Sequence, residues 1–203
     1  MRPEIKAVLF DLGNVLVKFD ARLSCRAFAE TCHCSEEEVW KAFFVSDLER
    51  VYTRGEISSA QFVENVNRLF GGQLSVEQFS KLWNEIFTEN PGMEVFVRKL
   101  KKKYPLYVIS NTNEMHWTYL LKQFSVLQHF TQCFPSHEVG MRKPDPNMFR
   151  YVLGRIGFPP EETVFIDDVP EFAASARSVG IHGIVYVSQD QLEMDLQRLG
   201  VQG

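Results

Sequence analysis

Ala7-Val8-Leu9-Phe10-Asp11-Leu12-Gly13-Asn14 is an apolar run that stops abruptly at an acid and is followed at once by a Gly-Asn pair. Apolar residues without polar alternation suit a strand covered on both faces, the usual state of a strand inside a parallel sheet. Working outward, the stretch from about 20 to 90 is helical in character. Ser35-x-x-Glu38, Ser58-x-x-Gln61 and Ser75-x-x-Gln78 each have the form of a helix-starting capping box. Phe62, Val66, Leu69 and Phe70 share one helical face, as do Phe79, Leu82, Trp83, Ile86 and Phe87, which predicts core rather than a ligand cage. After Pro91-Gly92 strands and helices alternate: helix 93–103, strand 106–110, helix 114–124, a short strand at 132–134, helix 146–156, strand 163–167, helix 170–179 and strand 183–187. This alternation predicts a parallel sheet with right-handed crossovers, an α/β core into which an all-helical cap is inserted directly after the first strand.

The composition fits that reading. Of 203 residues, 45% are hydrophobic and 13% aromatic, enough to build a sizeable core and to exclude a disordered chain. A net charge of −4 argues against a partner held through nucleic-acid phosphates. Lys99, Lys101, Lys102 and Lys103, the only basic run, fall where a helix should end, a position its dipole favours. No apolar stretch approaches a membrane span, and the first residues lack the apolar region of a signal peptide, so a soluble, cytoplasmic protein is expected. Cys25, Cys32, Cys34 and Cys133 are too few for a disulfide framework, and Cys32-His33-Cys34 is too tightly spaced for an ordinary zinc site.

In an open parallel sheet ligands bind at the carboxyl ends of the strands. Those ends carry Asp11-Leu12-Gly13-Asn14, Ser110-Asn111-Thr112-Asn113 and Asp167-Asp168, and Gly140-Met141-Arg142-Lys143-Pro144 precedes a helix. Three carboxylates, a hydroxyl and an ammonium thus converge on one crevice.

In this order these four motifs resemble those of the haloacid dehalogenase-like superfamily. With the cap segment Arg54-Gly55-Glu56-Ile57-Ser58, they are similar to its branch of bacterial α-glucose-1-phosphate phosphatases. The resemblance implies a Rossmann-like core with helices on both faces, formed by residues 1–19 and 91–203, and a helical cap at 20–90. It implies a phosphatase of small phosphorylated metabolites, a sugar phosphate such as a hexose 1-phosphate, acting as monomer or homodimer. A dianionic phosphate repels a carboxylate nucleophile, so a divalent cation and a lysine must neutralise it. Asp11 is then the nucleophile and, with Asp168 and the Gly13 carbonyl, a Mg2+ ligand. Asp167 holds a metal-bound water or orients Lys143. The backbone amides of Leu12 and Gly13, the Ser110 hydroxyl, the Asn111 amide and Lys143 bind phosphate. His116 and Trp117 are placed to reach the crevice mouth, and Arg22, Phe44, Arg54 and Glu56 lie where the cap reads substrate.

Gly13 departs from the superfamily's common pattern, in which a second Asp stands there and protonates the leaving group. Its loss removes a general acid, an effect typically worth ~10²–10⁴-fold, and favours leaving groups that need little help, such as an anomeric oxygen. Halide displacement needs no metal and no adjacent acids at Asp167-Asp168; a phosphomutase needs the acid that Gly13 replaces; a non-catalytic scaffold needs no poised nucleophile.

Overall fold

The apolar run forms strand β1, Ala7–Phe10, with every side chain buried. In the computed structural model, which describes residues 3–202, the chain continues as β2 (Val17–Phe19), α1 (Ala21–Cys32), α2 (Glu36–Trp40), a π-helical turn (Lys41–Val45), α3 (Leu48–Thr53), α4 (Ser59–Phe70), α5 (Val76–Asn84) and β3 (Phe87–Glu89). The second half runs α6 (Met93–Leu100), β4 (Leu106–Ser110), α7 (Glu114–Gln123), β5 (Gln132–Pro135), α8 (Ser136–Val139), α9 (Pro146–Ile156), β6 (Thr163–Asp167), α10 (Pro170–Ser178), β7 (His182–Val185) and α11 (Gln189–Arg198).

Five strands make one parallel sheet in the order β5-β4-β1-β6-β7. Because strand side chains alternate, β1 feeds two cores. Val8 and Phe10 meet Met93, Val97, Leu100, Leu120, Leu192 and Leu196 of α6, α7 and α11. Ala7 and Leu9 meet Met148, Phe149, Val152 and Ala176 of α9 and α10. Helices therefore cover both faces. The sheet order reverses around β1, so the ends of β1, β4 and β6 lie side by side with Asp11, Ser110 and Asp167 at their tips.

Between β2 and β3 the helices build a third core, aromatic in character, from Phe28, Phe43, Tyr52, Phe62, Phe79 and Trp83. All three expected capping boxes form, each Ser oxygen accepting the N3 amide while the N3 Glu or Gln reaches back; such a cap is worth typically ~1 kcal/mol. Leu69 departs from the sequence reading: it is 61% exposed, pointing off the buried face of α4. Ile86 and Phe87 lie beyond α5, which ends at Asn84. The two crossings into the helical segment pair as an antiparallel ribbon, Val17 to Glu89 and Phe19 to Phe87, so strand as well as helix lies within 17–90.

Buried hydrogen bonds tie these helices to the strand ends. Ser136 Oγ lies 2.6 Å from the Thr53 carbonyl and accepts the Thr112 N–H, and the Met115 N–H donates to the Tyr52 hydroxyl. At the same seam Gly55 has φ +70°, and a Cβ there would lie 2.1 Å from the His137 carbonyl oxygen. Gly71 has a similar φ of +64° with open space around it. Left-handed φ alone costs a side chain ~1–2 kcal/mol. Gly55→Ala should therefore lose at least ~2 kcal/mol more than Gly71→Ala in urea unfolding, the added loss being the backbone displacement; equal losses would show that the approach to His137 is dispensable.

Candidate active site

Asp11 is placed by the end of β1, its N–H donating to the Ile166 carbonyl of the neighbouring strand. The chain then turns tightly, Leu16 and Val17 N–H both donating to the Leu12 carbonyl, with Asn14 at φ 55°. Lys143 reaches in from the loop before α9. Its ammonium donates to Asp11 Oδ1 and to Asp167 Oδ2, each at 2.6 Å, and it is 3% exposed. Burial by itself would lower the Lys143 pKa, but the two carboxylates outweigh it and hold the ammonium charged. Asp167 has both oxygens engaged, since Oδ1 accepts the Val169 N–H.

The carboxylates remain under strain from one another. Burial pushes the Asp11 carboxyl up to about 7, Lys143 opposing and Asp167 reinforcing the shift. Burial and the Asp167 charge likewise raise Asp168. Oxygens of Asp11, Asp167 and Asp168 all lie within 4.8 Å of one another. Three hard oxygen donors against one ammonium are what a divalent cation such as Mg2+ would complete, and a cation would reverse the upward shifts.

Several expected residues act differently from the sequence reading. Asn111 sits at the strand end, but its Oδ1 accepts the Lys143 N–H and its Nδ2 donates to the Lys143 carbonyl, both at 2.8 Å. It therefore holds the lysine's backbone. Glu56 does not reach the site; it is half exposed and pairs with Arg54 at 2.8 Å. Arg22 lies over the Trp40 ring instead. Trp117 is 7% exposed within the core of the sheet, so it is no part of a crevice mouth.

Beside Gly13 opens a cavity of about 160 Å³, walled by Phe19, Phe44, Trp83, Ile86, Phe87 and His116 among others. Phe44, expected in the cap, lines this cavity, and Trp83 serves both core and cavity. Sequence reasoning missed Phe19 and Glu49. Glu49 lines the same cavity and pairs with Arg142 at 3.2 Å, and burial raises its pKa. The only available signal was that Arg142 precedes Lys143 in the loop motif and needed an acid from elsewhere.

A family model, haloacid dehalogenase-like hydrolase, matches residues 5–180. The chain belongs to that family. Among curated relatives of this haloacid dehalogenase-like chain, drimenol cyclase drtB of Aspergillus calidoustus is 28% identical over 96% of the chain, which spans 36% of that enzyme's length. D-ribitol-5-phosphate phosphatase of Bacteroides thetaiotaomicron is 26% identical over 81% of the chain and 83% of the enzyme. A solved HAD family enzyme from the same bacterium, in complex with magnesium and inorganic phosphate, superposes with a TM-score of 0.83 at 29% identity, over 93% of this chain and 98% of that one.

His116 of this haloacid dehalogenase-like site is neutral. Burial lowers its pKa to about 3; its Nδ1 lies 2.9 Å from Asn84 Oδ1, and Asn84 Nδ2 already donates to Ser80, so Nδ1 carries the hydrogen. The ring stacks on Trp83 at 5.0 Å and 4°. A neutral imidazole of that pKa is no general acid near neutral pH. Between the ordinary histidine pKa and 3 the unfolded chain binds a proton that the folded chain refuses, so this residue makes stability fall as pH drops through that window. His116→Gln, which keeps a donor for Asn84, should lose ~2 kcal/mol less than the parent between pH 7 and pH 4. Matching losses in urea titrations at the two pH values would contradict this.

Proposed function

We propose that the chain is a magnesium-dependent phosphatase acting on a small phosphorylated metabolite through an aspartyl-phosphate on Asp11. The observation that carries this reading is the pairing of Asp11 with Lys143 and Asp167 beside Asp168, at the point where the sheet order reverses. The magnesium and phosphate complex of the similar enzyme supports it. Halide displacement has no use for the added acid at Asp168, which without a cation only raises the cost of the buried charges.

The Asp11 oxygen not held by Lys143 attacks phosphorus; the bond from phosphorus to the ester oxygen breaks, and that oxygen leaves with the electron pair. Water then attacks the aspartyl-phosphate, releasing inorganic phosphate and restoring the Asp11 carboxylate. Lys143 neutralises the incoming phosphate, aided by the Leu12 and Gly13 amides and the Ser110 hydroxyl. Asn111 fixes the lysine's backbone, and Asp167 orients its ammonium. Asp11, the Gly13 carbonyl and Asp168 would hold Mg2+, which supplies Lewis-acid neutralisation of the phosphoryl oxygens.

The helices of residues 20–90 act as the cap that closes over the ester. With Gly13 unable to protonate the leaving group, two kinds fit: the anomeric oxygen of a sugar 1-phosphate, such as hexose 1-phosphate, and a phenolate. The enzyme is taken to work in the cytoplasm, as a monomer or homodimer, without nucleic acid. Among the described residues, no helix is long and apolar enough to cross a membrane.

The test is magnesium-dependent release of inorganic phosphate from a panel of monoesters, with chelator as the control. Full activity in chelator sinks the reading. Because both Asp167 oxygens are occupied while Asp168 is freer, Asp168→Asn should weaken magnesium activation at least ~10-fold more than Asp167→Asn, as loss of a direct ligand does; the reverse order would reassign the metal ligands.

A further inference from the structure

The cavity beside Gly13 is aromatic on its walls and at its mouth. Phe19, 40% exposed, and Phe44, 38% exposed, are the only exposed Phe, Tyr or Trp side chains among the described residues, and both line it. Deeper in, Trp83 and His116 present parallel rings, and Phe87 stands edge-on to His116 at 4.9 Å. Two aromatic rings left exposed to water at one opening, in a chain whose other aromatic side chains are buried or half-buried, mark an apolar recognition site.

The cavity's size sets what it can take. About 160 Å³ is close to the ~150 Å³ of an apolar protein cavity that holds one benzene ring. A single six-membered ring fills a space of this size.

Several of its polar groups are committed within the protein. Ser24 Oγ donates to the Ala21 carbonyl, Arg142 pairs with Glu49, His116 Nδ1 with Asn84, and the Thr112 N–H donates to Ser136. A sugar would bring a hydroxyl on nearly every carbon, and each one buried without a partner costs ~1–3 kcal/mol.

A second, independent observation concerns proton supply. A Cβ at position 13 would lie 2.7 Å from the Phe19 ring, so Phe19 occupies the space that an acid at this position needs. Position 13 therefore supplies no proton to the leaving group, which favours one that is stable as an anion. A phenol, with a pKa of ~10 as in tyrosine, departs as an anion far more readily than an alcohol near the ~15.7 of water.

We infer that the substrate class of this enzyme is the phosphate monoesters of small monocyclic phenols, the ring seated between Phe19, Phe44 and the Trp83–His116 pair. This rests on the phosphatase reading above. Neutral His116 adds ring surface without a charge that would need hydration.

Acetyl phosphate separates the two, because its carboxylate leaving group needs no acid and carries no ring. With magnesium present, kcat/KM is measured for acetyl phosphate, phenyl phosphate, glucose 1-phosphate and a five-carbon prenyl phosphate. Phenyl phosphate should exceed glucose 1-phosphate and the prenyl ester by at least ~30-fold, and phenol should inhibit competitively where glucose does not. Phe44→Ser should lower the phenyl-to-acetyl ratio of kcat/KM about tenfold, the loss of one aromatic contact. No turnover of either acetyl or phenyl phosphate overturns the phosphatase reading and this inference together. Turnover of acetyl phosphate with glucose 1-phosphate or the prenyl ester equal to or better than phenyl phosphate, or an unchanged ratio in Phe44→Ser, overturns the inference alone.

Discussion

Asp11→Asn should fold as the parent does and lose at least ~10³-fold in kcat, since the side chain keeps its shape but can no longer form the acyl phosphate. The amide oxygen can still accept from Lys143, so the 2.6 Å contact to the ammonium has a substitute and thermal unfolding should shift by only a few degrees. The two readouts matter together. Lost turnover with a retained melting transition assigns Asp11 to chemistry; activity within tenfold of the parent would place the nucleophile elsewhere.

Lys143→Met should damage stability as well as rate. The ammonium sits between Asp11 and Asp167, almost wholly enclosed, with the Phe165 and Phe172 rings 5.3 and 5.1 Å away. Methionine replaces the stem but leaves two facing carboxylates without their cation, a kind of loss that costs ~3–5 kcal/mol. One of them then takes up a proton, so the variant should regain stability as pH falls from 7 to 5, and magnesium should stabilise it more than it does the parent. The fall in kcat should reach ~10²–10³-fold, as for loss of a group that neutralises transition-state charge. Unchanged urea midpoints would mean that the lysine is not what holds the two acids together.

The fold was legible because its signals are local. Ala7-Val8-Leu9-Phe10 reads as a doubly covered strand without knowledge of its neighbours, and a serine followed three residues later by Glu or Gln starts a helix by its own hydrogen bonds. The carboxylates and Lys143 were legible because strand ends in a parallel sheet must converge. What stayed hidden depends on partners distant in sequence. Three residues of Val17–Phe19 are too few to show a period, and only pairing with Phe87–Glu89 makes them a strand. Glu49 and Glu56 are alike in the sequence; Arg142, far along the chain, draws the first to the cavity, while Arg54 keeps the second on the surface. Gly13 declares a missing acid, but nothing near it in sequence declares that Phe19 has turned back over the vacated space.

The ribbon of β2 and β3 has a consequence for how such a molecule diversifies. Paired strands lie ~4.8 Å apart, so the chain leaves the sheet domain at Phe19 and re-enters at Phe87 through a gap that an ordinary hairpin turn could close. Insertion length is thus uncoupled from the spacing of the catalytic strands: helices can be lengthened, exchanged or pruned beyond the ribbon while Asp11, Lys143 and Asp167 keep their positions. Phe19 and Phe87 themselves belong to the junction. A grafted insertion would therefore inherit two aromatic side chains of its binding wall from its host, and substrate preference would be transmitted partly through the socket and not solely through the module plugged into it.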